Sequence, residues 1–468
     1  MSTLYARTAT GGAVARTGFG YQDTYALLQF PNCLARDSFN GVVSELLGDV
    51  EFTYFSTNGL FHLCIEAKNN TLSQPSFWKE IEEFEKLHAA SPKTYVRFRY
   101  VSPGTPDALA PMRSKLERLR GVAGIYDMAN PVKASGRADI VQWILDNTNQ
   151  SRSRAEFVVD HVEFEDFDEN AAEQRFNAVF AEALPSLEDV PSSRLRKILE
   201  SWKHLIATSV KGHISRQEIE DAMLAELNES EQAIWKGTPS VPLLTTGQAG
   251  ERAPDTLDMA IDVRPFIDNT RAARTTSDWD ALRTSCEQLG EFLLNSRPRR
   301  RVKLDINLRM SSAVVLGNAF RATKGHALWI QQRGVIYKLD EYEERKEPYF
   351  QDEVESGTGS EGVVAIQIGT PTRLDVQRAM GGMSLANLPY LFVESTEGIP
   401  NLVTLNRAVV EAKRSIAGFR ADNNLSKIHL FVKGPSFFAM ALGHRLNALG
   451  PIQLYDWADT TYVPTALL

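Results

Sequence analysis

The sequence predicts an α/β protein of two domains, a mixed sheet flanked by helices followed by a region of alternating helices and strands. Three observations predict it. At 468 residues the chain exceeds what one ordinary core organises. Its N-terminal part holds two neighbouring apolar strands joined by a tight turn. Its C-terminal part carries a strand–loop–helix–strand unit twice.

From Gly18 to Tyr100 the pattern is helix, strand, strand, helix, strand. GYQDTYALLQF reads as a helix. GDVEFTYF and GLFHLCIEAK read as strands joined through Ser56-Thr57-Asn58-Gly59, because Asn-Gly readily adopts the positive φ that a hairpin turn requires. PSFWKEIEEFEKLHAA gathers Phe77, Ile81 and Phe84 on one helical face, and KTYVRFRYVS is a further strand. Residues 105–150 read as mainly helical and 155–165 as extended. A second helical run covers 192–227, with Ser215 and Glu218 spaced as a capping box. PSVPLLTTGQAGERAPDT, rich in Pro, Gly and Thr, reads as a linker. The expected domains are therefore 1–227, with a core at about 15–105 and a helical extension at about 190–227, and 228–468.

In the second domain, residues 303–332 align without gaps onto 427–456, at an offset of 124. A helix precedes each copy, giving units of about 279–332 and 401–456 and a mainly parallel α/β architecture. Each copy places a cation and a serine between strand end and helix start: Arg309-Met310-Ser311-Ser312 and Lys433-Gly434-Pro435-Ser436. Helix N-termini present free N–H groups to anions, and ligands of open α/β sheets sit at the carboxyl ends of strands. Arg309, Ser311, Ser312, Lys433, Gly434, Pro435 and Ser436 are thus candidate contacts for a ligand with several phosphates. Lys303, Lys427, Arg321 and His444 are further basic groups in the same units.

Composition narrows the function. The net charge of −8 excludes an overall basic field, so any DNA contact must be local. No apolar run approaches the roughly 18 residues of a membrane helix, and the N-terminus lacks a signal core, so a cytoplasmic protein without membrane association is expected. Cys33, Cys64 and Cys286 stand far apart, which suits a reducing compartment and excludes a CxxC zinc site.

The chemistry concentrates in HLCIEAKNN, residues 62–70. Side chains alternate along a strand, so Glu66 and Lys68 share one face. The hairpin returns Asp49 beside them. Two carboxylates with the Ala67 carbonyl suit Mg²⁺ or Mn²⁺, while Lys68 can position water and stabilise charge on a phosphate. Gln22, and Glu45 one helical turn before Asp49, are further candidates; Glu51 shares the face of Asp49 but is a weaker one.

This order of elements resembles the PD-(D/E)xK, restriction-endonuclease-like nucleases, whose acid and acid–x–Lys fall on Asp49, Glu66 and Lys68. Gly48 stands where that pattern has Pro. Gln22 in GFGYQ resembles the GxxYQ helix start of one branch of these nucleases. The segment IHLFVKGPSFFAMALGHRLN…PIQLYDW…YVP resembles the SAVED domain, a sensor related to paired Rossmann-like CARF units. Nuclease and SAVED in this order resemble the double-stranded DNA endonuclease effectors of CBASS anti-phage systems. That resemblance implies a cyclic tri- or dinucleotide messenger, cyclic tri-adenylate favoured, made by a CD-NTase synthase. It further implies ligand-induced homo-oligomers and indiscriminate DNA degradation. The alternatives are a modification-dependent restriction nuclease without a messenger, and a nucleotide sensor whose first domain only grips DNA.

Other signals carry less. GTGSEG, residues 357–362, matches a dinucleotide fingerprint but lacks the following helix and reads as a loop. HVEFEDFDEN reads as a strand entering a solvated acidic turn. Arg299 to Arg301 read as a solvated strand entry, and Trp202, Trp235 and Trp279 as packing residues.

Overall fold

A computed structural model describes residues 20–44, 49–56, 59–71, 73–123, 131–209, 213–239, 243–245, 257, 259–263, 266, 273–296, 301–305, 308–332, 334–339, 348–369 and 373–468. The chain forms two compact units, Met1–Thr238 with Ala249–Met259, and Pro239–Gln248 with Ala260–Leu468.

The first unit opens with helix α1 (Gly20–Ala35) and strands β1 (Phe39–Ser44), β2 (Val50–Ser56) and β3 (Gly59–Ala67). Helix α2 (Gln74–Ala90) leads to β4 (Tyr95–Ser102), then to α3 (Ala110–Ala123), α4 (Pro131–Asn147) and α5 (Arg152–His161). β5 (Val162–Asp166), α6 (Glu169–Ala183), α7 (Ser192–Thr208), β6 (His213–Ser215), α8 (Arg216–Glu226) and α9 (Glu229–Gly237) complete it. The strands form one mixed sheet in the order β5-β4-β3-β2-β1-β6. β2 and β3 make the expected antiparallel hairpin, closing at Ser56 opposite Gly59. Gly59 has φ +112°, the left-handed conformation that makes glycine the favoured residue there.

Alternation along the strands divides the core. Leu63 and Ile65 pack under α1, α6, α7 and α8, while Cys64, Phe98 and Val162 pack against α2 to α5. One expectation is corrected. Of the stretch 155–165 expected to be extended, residues up to His161 are helical, because Ser151 caps their first turn by accepting the Arg154 N–H; the strand begins only at Val162. HVEFEDFDEN is, as expected, a strand that runs into an exposed acidic turn at Asp166, Asp168 and Glu169. Glu163 is buried and paired with Arg97 and Arg99, which hold its carboxyl below the usual range against the cost of burial.

β1, which the sequence pattern did not reveal, joins the sheet between β2 and β6. Gly41 permits that pairing, since a Cβ there would lie 2.7 Å from the Ile214 carbonyl oxygen. The expected capping box closes α8 through Ser215 and Glu218. Trp202, Trp235 and Trp279 are all buried, as packing residues should be.

The second unit contains a parallel pair, β7 (Leu243–Thr245) with β8 (Ala260–Asp262). Next come α10 (Thr276–Ser296), β9 (Arg301–Asp305), α11 (Met310–Ala319), β10 (Ala327–Gln332) and β11 (Val335–Lys338). Then follow β12 (Gln351–Glu355), β13 (Glu361–Ile368), α12 (Arg373–Gly382), β14 (Tyr390–Ser395) and α13 (Leu402–Asp422). β15 (Lys427–Lys433), α14 (Ser436–Arg445), β16 (Ile452–Ala458) and β17 (Thr461–Leu467) end the chain. One sheet runs β11-β10-β9 and another β12-β14-β13-β15-β16-β17. The inner pairs are parallel and β11, β12 and β17 are antiparallel edges.

The duplication is visible in space, but in a different register. β9 and β15 begin at Arg301 and Lys427, and α11 and α14 at Met310 and Ser436, so the offset is 126 (436 minus 310), not 124. The offset of 124 survives only in the closing strand: Leu304 pairs with Ile330, and Leu430 with Leu454.

The contacts between α11 and α14 obey the same register reciprocally. A Cβ on Gly317 would collide with the Met440 carbonyl, and one on Gly443 with the Val314 carbonyl. Asn318 Nδ2 donates to Leu446 O at 3.0 Å, and His444 Nδ1 donates to Phe320 O at 2.5 Å. Each helix thus satisfies a carbonyl at the other's C-terminus. Ser312 therefore corresponds to Phe438 rather than Ser436, and His444 is committed to the helix pair.

Alanine at Gly317 or Gly443 is expected to lower stability by about 1–3 kcal/mol or more, because two backbones must part to admit each methyl. Urea denaturation of the full chain checks this, and an unchanged midpoint would refute it.

Candidate functional site

The site grows from the β2–β3 hairpin. Val50 pairs with Ile65, so Asp49 stands one step before the ladder, at the end of β3. Asp49 Oδ2 accepts the Ala67 backbone N–H at 2.9 Å, tying the carboxylate to the strand that carries Glu66 and Lys68. The Lys68 backbone N–H reaches Val101 O at 2.8 Å, so β4 fixes where β3 ends. The Lys68 ammonium hydrogen-bonds Glu66 and lies 3.9 Å from Asp49 Oδ2. Gln22, in the first turn of α1, lies near enough to Asp49 to help hold its carboxyl down.

Asp49, Glu66, Ala67, Lys68 and Gln22 are therefore brought together. Glu45 lies outside the described residues. Glu51 is fully buried and bonded to His62 Nδ1 at 2.8 Å, so it serves the hairpin.

Electrostatics give the cluster its character. Burial, then repulsion from Asp49, pushes the Glu66 carboxyl up to about 7 against the pull of Lys68. Burial also raises Asp49, opposed by Lys68, the Ala67 N–H and Gln22. Burial draws the Lys68 ammonium down, but Glu66 and Asp49 outweigh it and hold the group above its usual value. Sequence reasoning missed Glu80 on α2, whose charge reaches Glu66 and Lys68, and Tyr100, opposite Glu66 on β4. Glu80 lies three residues after the buried Phe77, so only the helix phase hinted at its position.

Two crowded, desolvated carboxylates answered by one ammonium are a donor set suited to a divalent cation. Among the described residues no group of three or more His, Cys, Asp or Glu converges. The oxygens of Asp49, Glu66 and Ala67 thus match a hard ion that keeps several waters better than a caged zinc.

In the second unit the two helix starts differ. Arg309 and Pro435 are the N-cap residues, and neither supplies a side-chain cap. Ser311 and Ser312 lie inside the first turn of α11 and are buried. The Ser311 N–H donates to Asp456 Oδ1 at 2.9 Å, and its hydroxyl accepts from Thr465 at 2.7 Å. Ser312 Oγ donates to Arg309 O at 3.0 Å. Asp456, which sequence reasoning did not single out, thus closes the start of α11 from within. At α14, Lys433 ends β15, Gly434 passes close to Ile368, and Ser436 opens the helix.

Comparison with known proteins agrees with both units. Residues 10–207 match the family described as Cap4, dsDNA endonuclease domain. Residues 287–468 match SAVED, the SMODS-associated and fused to various effectors sensor domain. A CD-NTase-associated protein 4 from Acinetobacter sp. (strain ATCC 27244 / 9458) is 36% identical over 469 residues, covering 100% of this chain and 99% of the relative.

Two solved structures of the Acinetobacter baumannii Cap4 SAVED/CARF-domain containing receptor are also similar. The one with the cyclic trinucleotide 2'3'3'-cAAA superposes with a TM-score of 0.86 at 35% identity, over 97% of this chain and 99% of that one. The one with 3'3'3'-cAAA gives 0.85 at 35% identity, over 96% and 98%. The endonuclease domain implies a divalent-metal requirement. The chain belongs to the CD-NTase-associated protein 4 family of CBASS anti-phage effectors, which join a double-stranded DNA endonuclease domain to a cyclic-oligonucleotide-binding SAVED domain.

Proposed function

We propose that this chain is a Mg²⁺-dependent double-stranded DNA endonuclease switched on by a cyclic trinucleotide, with Asp49, Glu66, Lys68 and Gln22 as its working residues. The observation that carries this reading is the convergence of Asp49, Glu66 and Lys68 at one strand end. Asp49, Glu66 and the Ala67 carbonyl hold Mg²⁺, or Mn²⁺ in its place. When bound, that cation supplies Lewis-acid polarisation of the scissile phosphate and eases deprotonation of water.

The chain does the rest. Lys68 orients the attacking water and offers positive charge as negative charge accumulates on the phosphate oxygens. Water adds to phosphorus and sheds one proton to solvent, one P–O ester bond breaks, and the leaving oxygen takes a proton back from solvent. Gln22 keeps Asp49 turned toward the end of β3. Glu45 stays a candidate for a second metal or for orienting water.

The two similar receptors are solved with cAAA, which favours cyclic tri-adenylate, delivered by a CD-NTase synthase, over a dinucleotide for this chain. Lys433, Gly434 and Pro435 at the start of α14, with the buried Ser436 behind them, and Arg309 near α11, are the proposed contacts. Ser311 and Ser312 support that site from beneath, because their hydrogen bonds are made within the fold. We assign control to ligand-induced homo-oligomers that bring nuclease domains together, in the cytoplasm. Among the described residues, no helix is long and apolar enough to cross a membrane.

The test is degradation of plasmid DNA by the full chain with Mg²⁺, alone and with a panel of cyclic di- and trinucleotides. Cleavage only with a cyclic trinucleotide, accompanied by a rise in mass by light scattering, is expected. Cleavage independent of every cyclic nucleotide would overturn the messenger requirement, and unchanged mass would overturn the oligomer.

A further inference from the structure

Gln22 can turn Asp49 only if α1 itself is held in place, and the structure shows what holds it. Tyr21, the neighbour of Gln22, is 5% exposed and donates its hydroxyl to Phe167 O at 2.9 Å, 146 residues away. Its ring meets the Phe167 ring edge-on at 5.1 Å, and Tyr25, one turn further, does the same at 5.2 Å. Tyr25 then donates to Glu165 Oε2 at 2.7 Å and accepts from Arg99 Nη1 at 3.0 Å. Arg99 belongs to β4 and Glu165 to β5, so the helix start is bolted to the half of the sheet beyond Glu66. The Phe167 N–H in turn donates to Ser102 O at 2.9 Å, at the end of β4.

We propose that Tyr21 is a positioning residue for DNA cleavage. By anchoring the first turn of α1 to the Phe167 carbonyl, it sets the Gln22 amide on Asp49 and so shapes the metal-holding pair. This rests on the reading of Asp49 and Gln22 given above. Neighbours on successive helix positions point about 100° apart, so the burial of Tyr21 fixes the rotation of the helix start and with it the direction of Gln22. A hydroxyl that touches neither DNA nor metal thereby governs the geometry of a group that does.

Tyr21→Phe removes one hydroxyl and keeps the ring packing. It is compared in the full chain with Gln22→Ala and with the double variant, by Mn²⁺ binding without DNA (electron paramagnetic resonance) and by plasmid cleavage with 3'3'3'-cAAA. Removing a group that orients a metal ligand costs about tenfold or more in metal affinity. Tyr21→Phe and Gln22→Ala are each expected to weaken Mn²⁺ binding by about tenfold, and the double variant by no more than Gln22→Ala alone, since both act through one bond. Thermal midpoints within a few degrees of the parent would show that the fold is retained.

If Gln22→Ala binds Mn²⁺ like the parent, the reading of Gln22 fails and Tyr21 has nothing to act through. If Gln22→Ala is impaired while Tyr21→Phe is not, or the two losses multiply, the positioning role of Tyr21 is overturned and that of Gln22 stands.

Discussion

Replacing Lys68 with alanine is expected to slow DNA cleavage by about a thousandfold, or about 4 kcal/mol of lost transition-state stabilisation. The expectation follows from where the ammonium sits. It hydrogen-bonds Glu66 and lies 3.9 Å from Asp49, so in the proposed mechanism it would be the charge nearest the phosphate when a cation engages both carboxylates. The backbone at this position is secured separately by the Val101 carbonyl, so truncation leaves the strand end in place. DNA and messenger binding should then stay near parental values while the rate of cutting collapses. Plasmid cleavage under saturating 3'3'3'-cAAA, with DNA binding measured in parallel, checks both statements. A variant that cuts within tenfold of the parent would remove Lys68 from the mechanism. Unaltered cutting would also return attention to Glu80 and Tyr100.

The largest expected loss of stability lies elsewhere in the first unit, at Arg216. Its side chain is 1% exposed. The guanidinium donates to Arg36 O and Leu34 O, each at 2.7 Å, and approaches Cys33 O at 3.4 Å. These carbonyls end α1, so a planar cation caps a helix terminus and answers its partial negative charge. The charge is balanced by Glu220, 3.4 Å away and equally buried, which also accepts from Trp235 Nε1 at 2.6 Å. Arg216→Ala would strand the Glu220 carboxylate and take the guanidinium donor from Leu34 O, Cys33 O and Arg36 O, the last two keeping the Arg36 and Phe39 N–H groups. Removing one partner of a buried pair costs about 3–5 kcal/mol. Urea denaturation should show a large fall in midpoint, with Arg216→Lys intermediate because an ammonium cannot supply the fork. A loss below about 1 kcal/mol would show that water replaces the guanidinium at little cost. Because α1 also carries Gln22, cleavage should weaken before the fold is lost.

Several features were legible in the sequence because they depend on neighbours along the chain. Asn58-Gly59 marked the hairpin, the capping box marked the start of α8, and strand alternation put Glu66 and Lys68 on one face. The hairpin then carried Asp49 to the right place without further information. Where local signals conflicted, the reading slipped. Phe157 to His161 look extended by their apolar residues, yet Ser151 starts a helix that runs through them. β1 contains Asn and Gly, which argue against a strand until β6 supplies a close partner. The internal repeat is legible in the pattern, but an ungapped alignment at 124 matches the closing strands and misses the helices, which repeat at 126. The element starts, and the meeting of Gly317 with Met440 and of Gly443 with Val314, distinguish 126 from 124.

Residue pattern is enough to identify the kind of protein this is: a nuclease core with an acid and an acid–x–Lys on paired strands, followed by a duplicated sensor. Those properties are written in short periods of two or about four residues, which the chain enforces through its own backbone geometry. Tertiary structure alone decided that Tyr21 is held by Phe167, that Arg216 caps α1 from 180 residues away, and that Asp456 closes the start of α11. Each joins groups far apart in the chain, and such pairings depend on how whole elements pack, which no local pattern of residue types records.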